Sequence, residues 1–389
     1  MEKFTKQKIR VTTAYFSNKP GAIGHAMQLY WLNEINREYE LHIITNQIDF
    51  LKENYPFEHL YEAGCGSTPY LRSLIFWIKS IIRLRKINYD LLFLFHDSSI
   101  LSFFNRKPYI SYVVQSHEII GLIKHTGVIG LLQKGYHHMI TKGILRADFV
   151  FAYSRGIQSL LTCRGINPGK TGLLVESLNS DLFSRSKYGS SIKPEFYTGD
   201  FILVYTGAVF ENRGLNIMLQ GIKESAKDHP GIQLIIIGAY GAEYKLINQF
   251  SEANKIQSNI INVGIVDYKQ IPYYIYYSDL CLSLLEYIPS YSISPPQKIF
   301  EYMAMGKPVL ANNIPTHTDY LKDGINGKII DYTVPDFVKG VNWFYTHREE
   351  SRLMALANEV KLNNSENGQL QNVLFGKIRE LTKTGIGEN

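Results

Sequence analysis

Short apolar runs, each about the length of one buried strand, recur along this chain with helical patterns between them. The first half contains KIRVTTAYFS, ELHIITN, YDLLFLF (89–95), YISYVVQ (109–115), DFVFAYS and TGLLVE (170–175). Runs without polar alternation are typical of parallel strands that helices cover on both faces. The pattern therefore predicts a doubly wound α/β domain over residues 1–183.

A polar stretch interrupts the series of apolar runs, and a second series follows it. A polar stretch, SRSKYGSSIKPEFYTGD (184–200), is rich in Ser, Gly and charge, and it indicates a linker. New runs follow: FILVYTG, IQLIIIG, IINVG, DLCLSLL, KPVLAN and GKIID. We expect a second doubly wound, Rossmann-like domain over 201–334 and a helical tail over 335–389. Two such domains would face each other across a cleft, where ligands bind.

Composition excludes several other classes of protein. The net charge is +6, but the basic residues are spread along the chain, so we expect no nucleic-acid partner. Cys65, Cys163 and Cys281 have no paired spacing, which predicts neither a disulfide framework nor a zinc site. The N-terminus runs directly into a strand, and no apolar run approaches the ~20 residues of a membrane span. We therefore expect a cytoplasmic protein.

Two helical stretches combine apolar and basic residues. They are LRSLIFWIKSIIRLRKINYD (71–90) and IIGLIKHTGVIGLLQKGYHHMITKGIL (119–145). Such helices either cover the sheet or lie on an anionic membrane surface. The sequence leaves both interpretations open, so the expected partners include a peripheral contact with the membrane.

The segment with the clearest chemistry is SPPQKIFEYMAMGKPVLA (294–311). Pro295 and Pro296 favour a helix start, and Gly306 favours a helix end. Within that helix, Lys298 and Glu301 share a face by their i, i+3 spacing. A helix start with a lysine in its first turn favours an anion, and a carboxylate one turn later can accept hydrogen bonds from adjacent hydroxyls. This layout suits a nucleoside diphosphate.

Here the sequence resembles the retaining glycosyltransferases of family 4, which have the GT-B fold. That family carries a Glu-x7-Glu element whose second glutamate holds the nucleotide ribose, and Glu301 matches this position. Ile293 stands where the first glutamate would be. The resemblance implies that Ser294, Lys298 and Glu301 bind the donor and that Glu301 also serves catalysis.

The resemblance extends along most of the chain. YTGAVFENRGL (205–215) is similar to an element in which two cations hold the donor diphosphate. Arg213, followed by Gly214, matches the second cation, whereas Ala208 replaces the first. By the same resemblance, backbone groups near Ile265 and Val266 would contact the base.

In the first half, NKPGAIGHAMQL (18–29) is similar to the family's glycine-rich loop, which implies donor contacts near Gly21 and Gly24. VVQSHEI (113–119) resembles the family's His-Glu pair, and it implies a catalytic role for His117 at the donor sugar. The glycines also suit a simple tight turn, and the histidine also suits a packed loop. The glycine spacing is not Gly-x-Gly-x-x-Gly, which disfavours a dinucleotide oxidoreductase.

These residues predict transfer of a sugar, with retention, from a UDP- or GDP-sugar to an acceptor hydroxyl. The acceptor would be a saccharide or a lipid-linked sugar of bacterial surface polysaccharide or glycolipid. No Asp-x-Asp stands in a context that suits a metal–diphosphate site, so we expect no metal and no cofactor besides the donor substrate. Two alternatives are a sugar-nucleotide epimerase of the same fold and a noncatalytic sugar-nucleotide-binding subunit.

Overall fold

The computed structural model of this protein describes residues 7–17, 26–65, 72–114, 127–175, 178, 182–363 and 367–384. The chain forms two compact units. The first unit comprises Met1–Ser177 together with Glu366–Asn389, and the second comprises Leu178–Ser365. Each unit is built around its own parallel sheet.

The first unit contains a seven-stranded sheet in the order β3-β2-β1-β4-β5-β6-β7. Every described strand pair in it is parallel. The central strands β4, β5 and β6 are buried at every residue, as expected for a sheet covered on both faces. The strands are β1 (Gln7–Tyr15), β2 (Tyr39–Thr45), β3 (His59–Glu62), β4 (Leu91–Phe95), β5 (Tyr109–Val113), β6 (Phe149–Ala152) and β7 (Thr171–Leu173).

Helices connect these strands. They are α1 (Ala26–Glu38), α2 (Ile48–Asn54), α3 (Arg72–Leu84), α4 (Gly127–Leu145) and α5 (Arg155–Cys163), with a 3-10 segment at His96–Phe104. Helix α3 buries Phe76 and Trp77 but leaves Leu74, Ile78 and Ile82 about half exposed. It therefore packs on one side and presents an apolar stripe on the other. Within the described part of the chain, no helix is long and apolar enough to cross a membrane.

The second unit contains a six-stranded parallel sheet in the order β10-β9-β8-β11-β12-β13. Alternate residues of its central strand point to opposite faces. Leu203 and Tyr205 therefore enter one apolar core, and Ile202 and Val204 enter the other. The strands are β8 (Phe201–Thr206), β9 (Ile232–Ile237), β10 (Ile260–Gly264), β11 (Leu280–Ser283), β12 (Val309–Asn312) and β13 (Lys328–Ile330).

The helices of the second unit lie between these strands and after them. They are α6 (Leu215–Asp228), α7 (Gly241–Ala253), α8 (Ile271–Tyr276), α9 (Pro289–Ile293), α10 (Gln297–Ala304), α11 (Pro315–Thr318), α12 (Val334–Thr346) and α13 (Arg348–Asn363). The predicted fold class, α/β with two doubly wound parallel sheets, is confirmed.

The segment 184–200 belongs to the second unit and packs on other parts of it. Tyr197 is buried, and its hydroxyl donates to Tyr274 O at 3.0 Å. The hydroxyl of Tyr277 donates in turn to Ser191 O. Hydrogen bonds thus hold the stretch that the sequence indicates as a linker onto α8 and its neighbours.

The residues after 335 are divided between the two units. Helices α12 and α13 belong to the second unit, whereas the last helix, α14 (Asn367–Thr384), belongs to the first. Leu374 and Ile378 of α14 are fully buried, and Tyr39 Oη of β2 donates to Phe375 O at 3.1 Å. The first unit is therefore discontinuous in sequence.

Candidate active site

Helix α10 begins where the paired prolines predict a start. Pro296 is the N-cap residue, and its extended backbone (φ −72°, ψ 132°) leads into Gln297. The helix ends at Ala304, and Gly306 has a φ of +58°, a left-handed conformation that favours glycine. The short helix predicted by the sequence is confirmed, and most of its residues are buried, including Lys298 and Glu301.

Glu301 is a buried carboxylate, with only 3% of its surface exposed. The hydroxyl of Tyr268 donates to Glu301 Oε1 at 2.8 Å. Burial raises the pKa of Glu301 to about 7, although the Tyr268 hydrogen bond and the charge of Lys298 act in the opposite direction. Each further hydrogen-bond donor to this carboxylate, for example a ligand hydroxyl, would favour its charged form and lower its pKa.

Lys298 is a buried basic side chain, 6% exposed, and its Nζ lies 3.3 Å from the centroid of the Tyr205 ring. Burial, and then the nearby charge of Arg213, hold the pKa of Lys298 well below its usual value of 10.5, whereas Glu301 raises it. In the part of the chain that the structure describes, no carboxylate lies within 4.0 Å of this ammonium group. An anionic ligand would supply the missing negative charge.

Arg213 ends a 3-10 turn, Glu211–Arg213, in the loop that follows β8. Its Nε donates to Tyr291 Oη at 3.2 Å, and its guanidinium lies 5.4 Å from the Tyr291 ring centroid. Among the described residues, Arg213 likewise forms no ion pair with a carboxylate. The charge of Arg213 lowers the pKa of Lys298, so the two basic side chains are close enough to interact electrostatically.

Gly214 fixes the position of Arg213. Its φ is +75°, and it is the N-cap of α6. A Cβ added here would lie 2.5 Å from the Cβ of Leu284, closer than real side chains approach. The position therefore requires glycine for both its conformation and its space.

The other predicted donor-binding residues of the second unit lie in segments that follow strands β10 and β11. Gly264, with a φ of +79°, ends β10, and Ile265 (65% exposed) and the half-buried Val266 follow it. Ser294 is the C-cap of α9, after β11. In a parallel sheet the carboxyl ends of the strands share one edge, and ligands bind there in doubly wound folds. Gly21, Gly24 and His117 lie outside the described residues.

Several aromatic side chains in this site are not predicted from the sequence. Tyr205, Tyr268 and Tyr291 contact Lys298, Glu301 and Arg213 respectively. The two partners are 33 residues apart in sequence for Tyr268 and Glu301, 78 for Tyr291 and Arg213, and further apart still for Tyr205 and Lys298. Local spacing therefore carries no signal of these contacts, although the high content of tyrosine is visible.

A buried histidine, His317, lies beneath the same region and is also missed by sequence reasoning. Its Nδ1 lies 2.8 Å from Asn312 O and its Nε2 lies 3.0 Å from Ser283 Oγ. Since a carbonyl only accepts, Nδ1 carries the proton and Nε2 accepts from the serine. Burial lowers the pKa of His317 to about 4, so the ring is neutral and ties β11 to β12.

Residues 190–359 match the family model described as glycosyl transferases group 1. This range lies within the second unit and includes both cations and Glu301. A comparison with curated proteins finds no significant match.

Solved structures share the whole fold at low sequence identity. HepE of Anabaena in complex with UDP and glucose is 16% identical, with a TM-score of 0.73, over 96% of this chain and 100% of its own. Sucrose-phosphate synthase of Thermosynechococcus elongatus is 15% identical, with a TM-score of 0.75, over 97% and 100%. A UDP-N-acetylglucosamine 2-epimerase is 11% identical, with a TM-score of 0.61, over 95% of each chain.

These likenesses show the GT-B fold, two doubly wound α/β domains in one chain. With that fold and a glycosyl transferases group 1 domain, the chain is a glycosyltransferase.

Proposed function

We propose that the second unit binds a nucleoside diphosphate sugar, with UDP as the nucleotide, and that the enzyme transfers the sugar to an acceptor hydroxyl with retention of configuration. The observation that carries the proposal is the grouping around Lys298: neither Lys298 nor Arg213 forms an ion pair with a carboxylate in the described chain, and each interacts electrostatically with the other, while the buried carboxyl group of Glu301 lies one helical turn after Lys298. A diphosphate supplies the missing anion, and a ribose supplies two hydroxyl donors to Glu301.

Lys298 explains how the site tolerates Ala208. The family resemblance places a cation at position 208, where this chain has none. A Cβ built on the adjacent Gly207 would lie 3.6 Å from Lys298 Nζ. Helix α10 therefore brings an ammonium group to the end of β8, and we propose that it replaces the missing cation at the diphosphate.

In the proposed reaction, the bond between the anomeric carbon and the diphosphate oxygen breaks. A new bond forms from the same face to the acceptor oxygen, and the acceptor proton passes to the leaving phosphate. Lys298 and Arg213 stabilise the charge that develops on the diphosphate, and Glu301 fixes the ribose. By the resemblance, His117 would position the donor sugar. Side-chain cations carry the charge in this proposal, and a metal chelator should leave the transfer rate unchanged.

UDP is favoured by one finding outside the chain. The HepE structure of the same fold was solved with UDP and glucose. GDP stays the second candidate, because the predicted base contacts near Ile265 and Val266 are made by backbone groups. Thermal unfolding with UDP, GDP and ADP tests the choice, since a ligand raises the unfolding temperature according to its affinity. We expect UDP to give the largest increase and Glu301→Ala to abolish it. An equal increase in that variant would place the ribose elsewhere.

The acceptor and the place of reaction are also part of the proposal. We propose a saccharide or lipid-linked sugar acceptor in surface polysaccharide or glycolipid synthesis, at the cytoplasmic side of a membrane. The stripe of Leu74, Ile78 and Ile82 on the basic helix α3 supports a peripheral contact. Sedimentation with anionic vesicles tests it: binding should fall in the triple serine variant, and binding equal to the unmodified chain would remove the support.

The epimerase alternative has the support of one likeness in fold, to a UDP-N-acetylglucosamine 2-epimerase. Incubation with UDP-sugars distinguishes the two reactions. A transferase releases UDP only when an acceptor hydroxyl or water is consumed, and NMR of the product gives the anomeric configuration. A new UDP-sugar formed without acceptor would instead indicate the epimerase.

A further inference from the structure

Two histidines and a glutamate meet at the edge of the first unit's sheet, far in sequence from the donor-site residues. Glu40 and His42 are two residues apart on β2, so their side chains share one face of the sheet. His59 on the edge strand β3 pairs directly with His42 in the parallel register. Tyr61, two residues further along β3, lies on the same face. Four polar side chains therefore gather on one patch of two strands.

The donor atoms of the three possible ligands are close together. His42 Nε2 lies 3.0 Å from Glu40 Oε1, and His59 Nε2 lies 3.7 Å from that same oxygen. One ligand atom from each residue falls within 4.8 Å of the other two. In a tetrahedral zinc site, bonds of 2.0–2.2 Å separate neighbouring ligand atoms by about 3.4 Å. The two distances from the histidines to Glu40 Oε1, 3.0 and 3.7 Å, lie on either side of this value.

The surroundings suit a metal ligand in two ways. His42 Nδ1 lies 2.9 Å from Tyr61 Oη, so the second ring nitrogen has a hydrogen-bond partner that can orient the ring, as outer partners do for metal-bound histidines. Arg10 interacts electrostatically with Glu40, but it forms its ion pair with Asp90, at 3.1 Å between Nη2 and Oδ1. Glu40 therefore keeps its carboxylate for the two imidazoles.

Hydrogen bonding alone explains the cluster less well. The rings of His42 and His59 stack with centroids 4.6 Å apart and an interplanar angle of 12°. His59 has 40% of its side chain exposed, and it can rotate to direct its Nε2 at an ion held by the other two.

We propose that Glu40, His42 and His59 form a binding site for a divalent transition metal ion of the Zn²⁺ type, with water completing the coordination. Imidazole and carboxylate ligands suit such ions, whereas Mg²⁺ and Ca²⁺ prefer oxygen ligands alone. The ion would join the edge strand β3 to β2. It lies in a different unit from Lys298 and Glu301, and it takes no part in the proposed sugar transfer.

Calorimetric titration of the chelator-treated full chain with ZnCl₂ tests the site. We expect one saturable site, and a pink-to-blue absorption with Co²⁺ that reports a four-coordinate geometry. His59→Ala and Glu40→Gln should each weaken Zn²⁺ binding by at least about tenfold, and Tyr61→Phe by about tenfold through its effect on His42. Because His59 is partly exposed, His59→Ala should fold normally, which circular dichroism checks.

The matched control is His138→Ala on α4, an exposed histidine outside the cluster. It should bind Zn²⁺ as the unmodified chain does. The proposal is overturned if the unmodified chain shows no saturable binding, or if His59→Ala binds Zn²⁺ equally well. It is also overturned if His138→Ala removes the site. UDP binding, measured by the rise in unfolding temperature that UDP causes, should be the same with and without Zn²⁺. If the metal-site proposal fails, the proposed function is therefore unaffected.

Discussion

Replacing Glu301 by glutamine should stabilise the protein at neutral and alkaline pH while abolishing nucleotide binding. The carboxylate is 3% exposed and lies near a lysine that does not form an ion pair with it. Its burial disfavours the charged form, which is the cause of its raised pKa. Glutamine has nearly the same shape and no charge to bury, and its amide oxygen can accept the hydrogen bond from Tyr268.

The magnitude follows from the pKa of Glu301, which burial raises from 4.5 to about 7. A raised carboxyl pKa means that the folded state holds the proton more tightly than the unfolded chain. This contribution to stability is complete below 4.5 and is lost as the pH rises through 7. At about 1.4 kcal/mol per tenfold change in proton affinity, the loss between about pH 5 and about pH 8 is about 2.5 kcal/mol. Glutamine has no ionisable group, so the Glu301→Gln variant does not show this loss of stability as the pH rises.

Thermal unfolding of both proteins across that pH range measures the effect. The advantage of Glu301→Gln should grow with pH, by about 2–4 °C for each kcal/mol in a domain of this size. Other titrating groups, such as His317, are present in both proteins and cancel in the difference. UDP should raise the unfolding temperature of the unmodified protein only. Glu252→Gln, at an exposed position on α7, serves as the control and should change neither quantity.

The reasoning is refuted if the difference between Glu301→Gln and the unmodified protein does not depend on pH. It is also refuted if the variant keeps its UDP-induced stabilisation, because the ribose would then have another partner.

Three further substitutions test other parts of the site. Arg213→Lys should weaken UDP binding by about tenfold, because lysine cannot contact the diphosphate through two parallel hydrogen bonds; calorimetry measures this, and an unchanged affinity would remove the arginine from the site. Gly214→Ala should lower the unfolding free energy by about 1–3 kcal/mol, given its φ of +75° and the contact with Leu284, and a denaturant titration would reveal a neutral effect if the argument fails. His317→Gln should reduce the acid sensitivity of the fold. The pKa of His317 is lowered from 6.5 to about 4, so its neutral burial costs stability as the pH falls from 6.5 towards 4, by up to about 3 kcal/mol. Parallel stability curves for this variant and the unmodified chain would contradict it.

The sequence predicts most of this fold because the buried strands carry continuous apolar runs. LLFLF of β4 and IQLIII of β9 are buried at every residue, and helices cover both faces of such strands. Strand β3, HLYE, is not predicted. It is a four-residue edge strand, and each of its residues is at least partly exposed. No run of buried apolar residues therefore marks this strand in the sequence. The packing of α14 with the first unit is not predicted either, because a helical pattern does not specify which sheet it covers.

The candidate site also has features that the sequence predicts and features that it does not. Lys298 and Glu301 are neighbours on one short helix, and their i, i+3 spacing predicts that they share a face. The burial of both side chains, and the contacts of Tyr205 and Tyr268 with them, depend on how distant segments pack. The roles of Gly21, Gly24 and His117 stay predictions of the resemblance.

The last helix has a consequence for the order in which the protein is made. Domains usually fold as units from the N-terminus while the ribosome is still adding residues. Here the first unit needs α14, whose Leu374 and Ile378 are fully buried in it, and those residues are synthesised after the whole of the second unit. Leu178–Ser365, by contrast, is one uninterrupted stretch. The second unit is therefore complete before the first, and a fragment ending before residue 366 would contain the second unit whole but leave the first with part of its core uncovered.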